Sequence, residues 1–159
     1  MAASTSAGIL LYRTARGLEV WIGHMGGPYW ARKDDGAWSI PKGLYDPAEE
    51  PLSAAKREFE EEIGAPPPVV EYLRLGEFRQ SSGKLLTVFA ADADFAVDAI
   101  ASNTFTLEWP PRSGRMQEFA ELDDARWFPV DVARRKLVKG QLPMLAALER
   151  LVSQQVEKN

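Results

Sequence analysis

The sequence of 159 residues contains no cysteine and only one histidine, His24. The absence of cysteine excludes disulfides, zinc–thiolate sites and thiol nucleophiles. The sequence has 19 Lys and Arg and 23 Asp and Glu, which gives a net charge of −4. This acidic balance argues against a broad cationic surface for binding DNA. No apolar run approaches the roughly 20 residues of a membrane span, and residues 1–13 lack a signal-peptide pattern. We therefore expect a cytoplasmic protein that binds neither DNA nor a membrane.

The length fits one compact core, so we expect a single domain over residues 1–159. Apolar residues 7–13 and 18–23 flank a turn and predict a hairpin, and residues 24–35 predict a loop. Pro41-Lys42-Gly43 is expected to end any regular element. Further strands are predicted over residues 69–79, 85–93, 104–109 and 126–129, a basic loop over 110–117, and helices over 51–63, 131–136 and 141–156. Because strands and helices do not strictly alternate, this order predicts an α/β (α+β) fold with a mixed sheet covered by helices.

The predicted helix at residues 51–63 carries an unusual acidic face. Glu58, Glu61 and Glu62 stand at positions i, i+3 and i+4, so their side chains share one face and repel one another. Hard cations relieve such repulsion, and carboxylate oxygens are the ligands that Mg²⁺ and Mn²⁺ prefer. Mg²⁺ also accepts phosphate oxygens, so this face is suited to a phosphorylated substrate. The usual alternative for a charge run is a solvated helix face.

The loop before this helix supplies further candidate residues. Gly43 allows the backbone to approach a metal or phosphate closely, and the neighbouring Lys42 places a positive charge there for phosphate. Glu49 and Arg57 are spaced to pair with each other and to hold the loop against the helix.

The spacing of these residues resembles the Nudix box. The fixed residues are separated as the box requires, and Phe59 and Ala65 fill its two apolar positions. The seven fixed positions are Gly43, Glu49, Arg57, Glu58, Glu61, Glu62 and Gly64. The resemblance implies the Nudix fold, a mixed sheet sandwiched between helices. It also implies a metal-dependent pyrophosphohydrolase that cleaves a nucleoside diphosphate linked to another moiety, with Mg²⁺ or Mn²⁺ as cofactor.

The resemblance also implies roles for individual residues. Glu58, Glu61, Glu62 and the Gly43 carbonyl match the metal ligands of the family, while Arg57 and Glu49 match an orienting pair. Family members often add a glutamate from a later loop, as a metal ligand or a base. Here Glu121 is the first choice and Glu118 the alternative. The general base is left open among Glu61, Glu62 and Glu121.

The substrate is indicated only by segments outside the box. Residues 38–43 and Lys84 resemble the corresponding parts of diadenosine polyphosphate hydrolases, whereas Ser81 and Ser82 stand where that subgroup usually has a tyrosine. Dinucleoside polyphosphates are therefore the first choice, followed by nucleoside triphosphates and ADP-ribose-like compounds. A capped RNA 5′ end and a nucleotide sensor without catalysis are the remaining alternatives. The oligomeric state stays open.

Two clusters outside the box have both a functional and a structural interpretation. Tyr29 and Trp30 can stack on a base or cover the edge of the core. Arg112 and Arg115, with Trp109, can grip a polyphosphate or form a solvated loop. We expect Tyr29 and Arg112 to bind substrate together with Lys42 and Lys84. The lone His24 is expected to be a structural hydrogen-bonding residue.

Overall fold

A computed structural model describes residues 5–158, with side chains up to residue 156. Residues 1–4 and 159 of the predicted single domain lie outside this range, as do the first four residues of the segment without a signal-peptide pattern. No helix in the described range is long and apolar enough to cross a membrane.

The described chain alternates irregularly between strands and helices. In chain order, strands β1 to β9 are Thr5–Arg13, Glu19–Met25, Trp38–Ser39, Lys42–Leu44, Leu73–Arg79, Leu85–Asp92, Thr104–Glu108, Met116–Ala120 and Leu122–Pro129. Helices α1 to α3 are Pro51–Ile63, Val130–Lys136 and Leu142–Lys158, and a 3₁₀ turn, Lys139–Gln141, precedes α3.

The main sheet is mixed, and β1 lies at its centre. The strand order is β3-β2-β1-β6-β5, with β1 and β6 parallel and the other neighbours antiparallel. One edge of β1 is shared, because β4 pairs with its first half and β2 with its second half. Strand β9 pairs with β2, and β7 and β8 form a separate hairpin. The hairpin predicted for β1 and β2 is confirmed.

The sheet is buried on both faces. Alternate residues of β1 point to opposite sides, so Leu10 and Tyr12 pack towards α3, while Ile9 and Leu11 pack towards α1. Met144, Leu145 and Leu148 of α3 are completely or almost completely buried in the first cluster. Ala54, Ala55 and Phe59 of α1 belong to the second cluster. The predicted fold, a mixed sheet between helices, is confirmed.

Helix α1 has well-formed ends. The side chain of Glu50 accepts hydrogen bonds from the backbone N–H groups of Leu52 and Ser53, and Pro51 occupies the first turn. Gly64 ends the helix in the left-handed conformation with φ of 84°. The helix is therefore fixed in register, and its acidic positions always face the same side.

Strand β3 ends at Ser39, before Pro41, as the expectation for Pro41-Lys42-Gly43 required, but Lys42 and Gly43 themselves begin a new strand. Lys42–Leu44 forms β4, which pairs with residues 6–8 of β1. Pro41 has no N–H to donate, but its carbonyl accepts a hydrogen bond from the N–H of Ile9 at 3.2 Å. Gly8 permits this close approach, since a Cβ there would lie 2.8 Å from the Pro41 carbonyl oxygen.

Several element boundaries also differ from the predictions. Strand β2 continues through His24 and Met25 because β9 pairs with it as far as Leu122, four residues before the predicted start of that strand. Met116 and Gln117 belong to β8 rather than to a loop, because β8 pairs along the whole of β7.

Two further boundaries lie later than predicted. Strand β5 begins at Leu73 instead of residue 69, since Val69 is fully exposed and the Tyr72 hydroxyl donates to the Pro68 carbonyl at 2.7 Å. Helix α3 begins at Leu142, because Gln141 belongs to the 3₁₀ turn.

Replacing Gly64 with alanine should destabilise the fold more than the same change at Gly83. Both glycines have a positive φ, 84° and 86°, so each variant carries backbone strain of roughly 1–2 kcal/mol. A Cβ at Gly64 would also lie 2.7 Å from the Cβ of Ala101, whereas nothing lies within 4 Å of one at Gly83. We expect Gly64→Ala to lose about 1–3 kcal/mol more of the unfolding free energy, measured by urea denaturation. Equal losses would contradict this packing argument.

Candidate active site

A pocket of about 490 Å³ lies between the start of β1, β4, α1 and the start of β9. It contains the carboxylates predicted on the helix face, both predicted lysines and Glu121. Its lining residues are Ser6, Lys42, Gly43, Leu44, Glu58, Glu61, Glu62, Lys84, Asn103 and Glu121. Segments that are far apart in sequence therefore meet around one strongly polar cavity.

The carboxylates of α1 differ in burial. Glu58 and Glu62 are 8% and 9% exposed, whereas Glu61 is exposed. Burial raises the pKa of Glu62 to about 8, and the nearby charges of Glu121 and Glu58 act in the same direction, against Lys42. Burial also raises the pKa of Glu58, with a further contribution from Glu61. These shifts show that negative charge is costly in this part of the pocket.

Arg57 offsets part of this negative charge. One of its terminal nitrogens, Nη1, donates to Glu58 at 2.9 Å and to Glu61 at 3.3 Å. Its Nε and Nη2 atoms donate to both carboxylate oxygens of Glu49 at 3.1–3.3 Å. The predicted pair between Glu49 and Arg57 is thus present, and it ties the loop before α1 to the acidic face of the helix.

The strand β4 brings backbone groups directly against these carboxylates. The N–H of Lys42 donates to Glu62 at 3.2 Å. A Cβ on Gly43 would lie 2.0 Å from Oε2 of Glu58, so only glycine allows this carboxylate its present position. The glycine therefore allows close packing between the backbone and this carboxylate. The predicted close approach of its backbone to a metal or phosphate stays a prediction.

Glu121 reaches the pocket through an irregularity in the sheet. The pairing of β2 with β9 shifts between His24 and Met25, which leaves Asp123 as an extra residue, a β-bulge. The N–H of Gly26 donates to the Glu121 carbonyl at 2.9 Å. The alternative candidate, Glu118, is exposed on β8 opposite Thr106 and does not line the pocket.

Three lining residues were not predicted from the sequence. Ser6 is almost fully buried at the start of β1, Leu44 ends β4, and Asn103 precedes β7. None of them occupies a defined position of the box, and no local pattern distinguishes them from other residues of their type. They reach the pocket through strand pairing and through the path of the chain after β6.

The remaining candidates lie outside the pocket lining. Tyr29 is 55% exposed and packs edge-to-face against Trp109, with ring centroids 5.2 Å apart. Arg112 is exposed in the turn between β7 and β8. Trp30 is partly buried against the core, as its structural interpretation predicted. The substrate-binding roles of Tyr29 and Arg112 stay predictions.

His24 is a structural hydrogen-bonding residue, as predicted. Its Nδ1 lies 2.7 Å from an oxygen of Asp123 and its Nε2 lies 2.7 Å from the Lys33 carbonyl. The ring thereby connects the bulge in β9 to the loop that follows β2.

The donor set of the pocket fits a hard divalent cation. Its candidate ligands are carboxylate and carbonyl oxygens, the atoms that Mg²⁺ and Mn²⁺ prefer. Within the described residues, no three acidic or histidine side chains already converge at metal-ligand spacing. Arg57 contacts one oxygen of Glu58 and one of Glu61, so these two carboxylates are partly engaged by an internal cation.

The burial of Glu62 predicts a pH-dependent stability for the protein in EDTA. The pKa of Glu62 is about 8 in the folded state, above the ordinary value of 4.5. Between pH 4.5 and 8, Glu62 is therefore protonated in the folded state and ionised in the unfolded state. The unfolding free energy should therefore fall as the pH rises from 5 to 8. Glu62→Gln should reduce this fall, whereas Glu60→Gln, at an exposed position on the same helix, should not. Urea denaturation at pH 5 and pH 8 measures the unfolding free energy. An identical fall in the wild type, Glu62→Gln and Glu60→Gln would contradict the prediction.

Comparison with known proteins gives the family. The family model of the NUDIX domain matches residues 3–148. No curated protein matches the chain. Among solved structures, an Ap4A hydrolase from C. elegans in a binary complex has 18% identity and a TM-score of 0.65, with 96% of this chain and 98% of that chain covered.

Two further structures have the same fold. The NUDIX domain of Shewanella oneidensis NrtR, in complex with ADP ribose, has 18% identity and a TM-score of 0.63, with 96% of this chain and 90% of that chain covered. RenU, a Nudix hydrolase from M. smegmatis, has 23% identity and a TM-score of 0.61, with 94% of this chain and 86% of that chain covered. The chain therefore belongs to the Nudix family and is a pyrophosphohydrolase of that family.

Proposed function

We propose that the pocket hydrolyses a pyrophosphate bond in a nucleoside diphosphate that is linked to another moiety. The observation that carries this proposal is the combination of four glutamates with two lysines, Lys42 and Lys84, in one cavity. Carboxylates alone would repel a phosphorylated substrate. Cations held by the carboxylates, together with the two lysines, make the same pocket attractive to phosphate.

We propose Mg²⁺ or Mn²⁺ as the cofactor, held by Glu58, Glu61, Glu62 and the carbonyl of Gly43. When bound, the ion neutralises phosphate charge, polarises the phosphorus centre and lowers the pKa of the attacking water. Arg57 supports this arrangement because it donates to both Glu58 and Glu61 and so offsets part of their repulsion. Glu49 in turn holds Arg57 in place.

We assign the general base to Glu121 among the three residues that the sequence left open. Glu61 is engaged by Arg57, and Glu62 accepts the N–H of Lys42. Within the described part of the chain, the Glu121 carboxylate has no hydrogen-bond or ion-pair partner, although it lines the pocket. It is thus available to take the proton of the attacking water at a carboxylate oxygen.

Dinucleoside polyphosphates are the proposed substrate class, from the sequence resemblance around residues 38–43 and Lys84. Lys84 lines the pocket, where its positive charge can bind phosphates beyond the cleaved bond. Tyr29 with Trp109 offers an exposed aromatic surface, and Arg112 a positive charge, for the more distant nucleoside and its phosphate. Nucleoside triphosphates, ADP-ribose-like compounds and capped RNA 5′ ends are the alternatives within the same chemistry.

A nucleotide sensor without catalysis is the candidate from another class. All the box carboxylates are present: Glu58, Glu61 and Glu62 line the pocket, and Glu49 holds Arg57, which contacts two of them. This arrangement favours catalysis over a sensor. The single domain, the cytoplasmic location and the absence of DNA or membrane partners stay predictions from the sequence.

Hydrolysis should require Glu61 but not its neighbour Glu60. Both are exposed glutamates of α1, but only Glu61 lines the pocket. With Mg²⁺, Glu61→Gln should lower kcat by at least about a hundredfold and leave the thermal unfolding midpoint nearly unchanged. Glu60→Gln should behave as wild type. Ion-exchange chromatography of the products measures turnover. Undiminished turnover in Glu61→Gln would refute the proposal that the acidic face of α1 holds the catalytic metal.

The same assay identifies the substrate class when diadenosine polyphosphates, nucleoside triphosphates and ADP-ribose are compared. We expect the dinucleotides to be cleaved fastest and asymmetrically, and Tyr29→Ala or Arg112→Ala to raise KM for them alone. If KM rose equally for every substrate, or did not rise for any of them, these two residues would not belong to the substrate-binding site. No cleavage of any compound, even with Mn²⁺, would favour the sensor or a capped RNA.

A further inference from the structure

Between β6 and β7 the chain crosses the C-terminal end of α1 through residues 101–103, which we call the strap. The N–H of Ala101 donates to the carbonyl of Ile63 at 2.9 Å, and the N–H of Asn103 donates to the carbonyl of Glu61 at 2.8 Å. Carbonyl groups in the last turn of a helix have no donor within the helix. The strap therefore supplies hydrogen-bond donors to the carbonyls at the end of the helix that carries Glu61 and Glu62.

The opposite side of the strap holds the segment that carries Glu121. The N–H of Glu121 donates to the carbonyl of Asn103 at 3.0 Å. The N–H of Leu122 donates to the hydroxyl of Ser102 at 3.1 Å, and this hydroxyl donates to the Asn103 carbonyl at 2.8 Å. The Ser102 hydroxyl thus joins the strap to Leu122, next to Glu121, and binds the same Asn103 carbonyl that accepts the Glu121 N–H.

The backbone of Glu121 is held from the other side as well. Its carbonyl accepts from the N–H of Gly26 at 2.9 Å. A Cβ on Gly26 would lie 2.0 Å from the carbonyl oxygen of Ala120, so the loop after β2 packs tightly against this segment. Because the Glu121 carboxylate has no partner of its own among the described residues, its location in the pocket depends on these backbone contacts.

We propose that Ser102 is a positioning residue, which fixes the Glu121 carboxylate relative to the acidic face of α1. The proposal rests on the proposed function, in which Glu121 takes the proton of the attacking water. The chain of contacts is short: the last turn of α1 binds Asn103, Asn103 binds Glu121, and Ser102 closes the connection to Leu122. Removing the hydroxyl leaves the Leu122 N–H without this acceptor and removes one of the contacts that fix the segment, so a small displacement of Glu121 is expected.

A double-mutant cycle between Ser102→Ala and Glu121→Gln tests this proposal. In the wild-type background, Ser102→Ala should lower kcat between about tenfold and a hundredfold, with KM little changed, because a small displacement of a reacting group has a large kinetic effect. In the Glu121→Gln background, the same change should have no further effect on kcat. Ser102→Thr, which keeps the hydroxyl, should restore most of the turnover.

Ser53→Ala is the control, since the Ser53 hydroxyl also makes a hydrogen bond, to Glu50 at 3.0 Å, but lies in the first turn of α1, at the end opposite the strap. It should leave kcat unchanged. A readout independent of activity is amide hydrogen exchange, which should become faster at Leu122 in Ser102→Ala and stay unchanged there in Ser53→Ala.

The outcomes separate this proposal from the function on which it rests. Full turnover in Glu61→Gln overturns the proposed function and the role of Ser102 with it. An inactive Glu61→Gln together with wild-type kcat in Ser102→Ala overturns the positioning role alone. Equal losses from Ser102→Ala in both backgrounds also overturn it, because they would show an effect that does not act through Glu121.

Discussion

Repulsion between buried carboxylates on one face of α1 is the constraint around which the site is built. Glu58 and Glu62 are almost fully buried, and burial raises the pKa of both. The charge of Glu61 adds to the rise at Glu58, and the charges of Glu121 and Glu58 add to the rise at Glu62. An ordinary helix avoids such a face, because a buried negative charge without a counter-charge is unfavourable. Arg57 balances part of it from within the chain. The divalent cation that we propose for the pocket would balance the remaining charge.

The rest of the fold holds this face in place. Strand β4 is only three residues long, yet it supplies the Gly43 backbone, the N–H that binds Glu62 and the side chain of Lys42. It can lie there because β1 pairs with β4 along one half of its edge and with β2 along the other. The strap also holds the C-terminal half of α1, through the carbonyls of Glu61 and Ile63.

The sequence predicts those parts of the site that depend on local spacing. The shared face of Glu58, Glu61 and Glu62 follows from helical periodicity, and the contact of Glu49 with Arg57 follows from the box. The sheet between helices could likewise be expected from the order of apolar segments. These features are set by residues close together in the chain, so their pattern can be recognised without coordinates.

Features that depend on contacts between distant segments could not be predicted in this way. A proline followed by lysine and glycine indicates an interruption, yet Lys42–Leu44 becomes a strand because Gly8 leaves room for it. Strand β9 extends back to Leu122 because β2 is available as its partner. Ser6 and Asn103 enter the pocket for the same reason, since only the tertiary arrangement places them near α1.

The central claim is that the acidic face of α1 holds a divalent cation, and calorimetric titration of the protein with Mg²⁺ and Mn²⁺ tests it most directly. Titrations in two buffers of different ionisation enthalpy also report proton release. The account predicts saturable binding that is weakened at least about tenfold in Glu58→Gln, with protons released near pH 7 because the pKa of Glu62 is raised to about 8 without metal. Absence of saturable binding, or equal affinity in Glu58→Gln, would contradict the account.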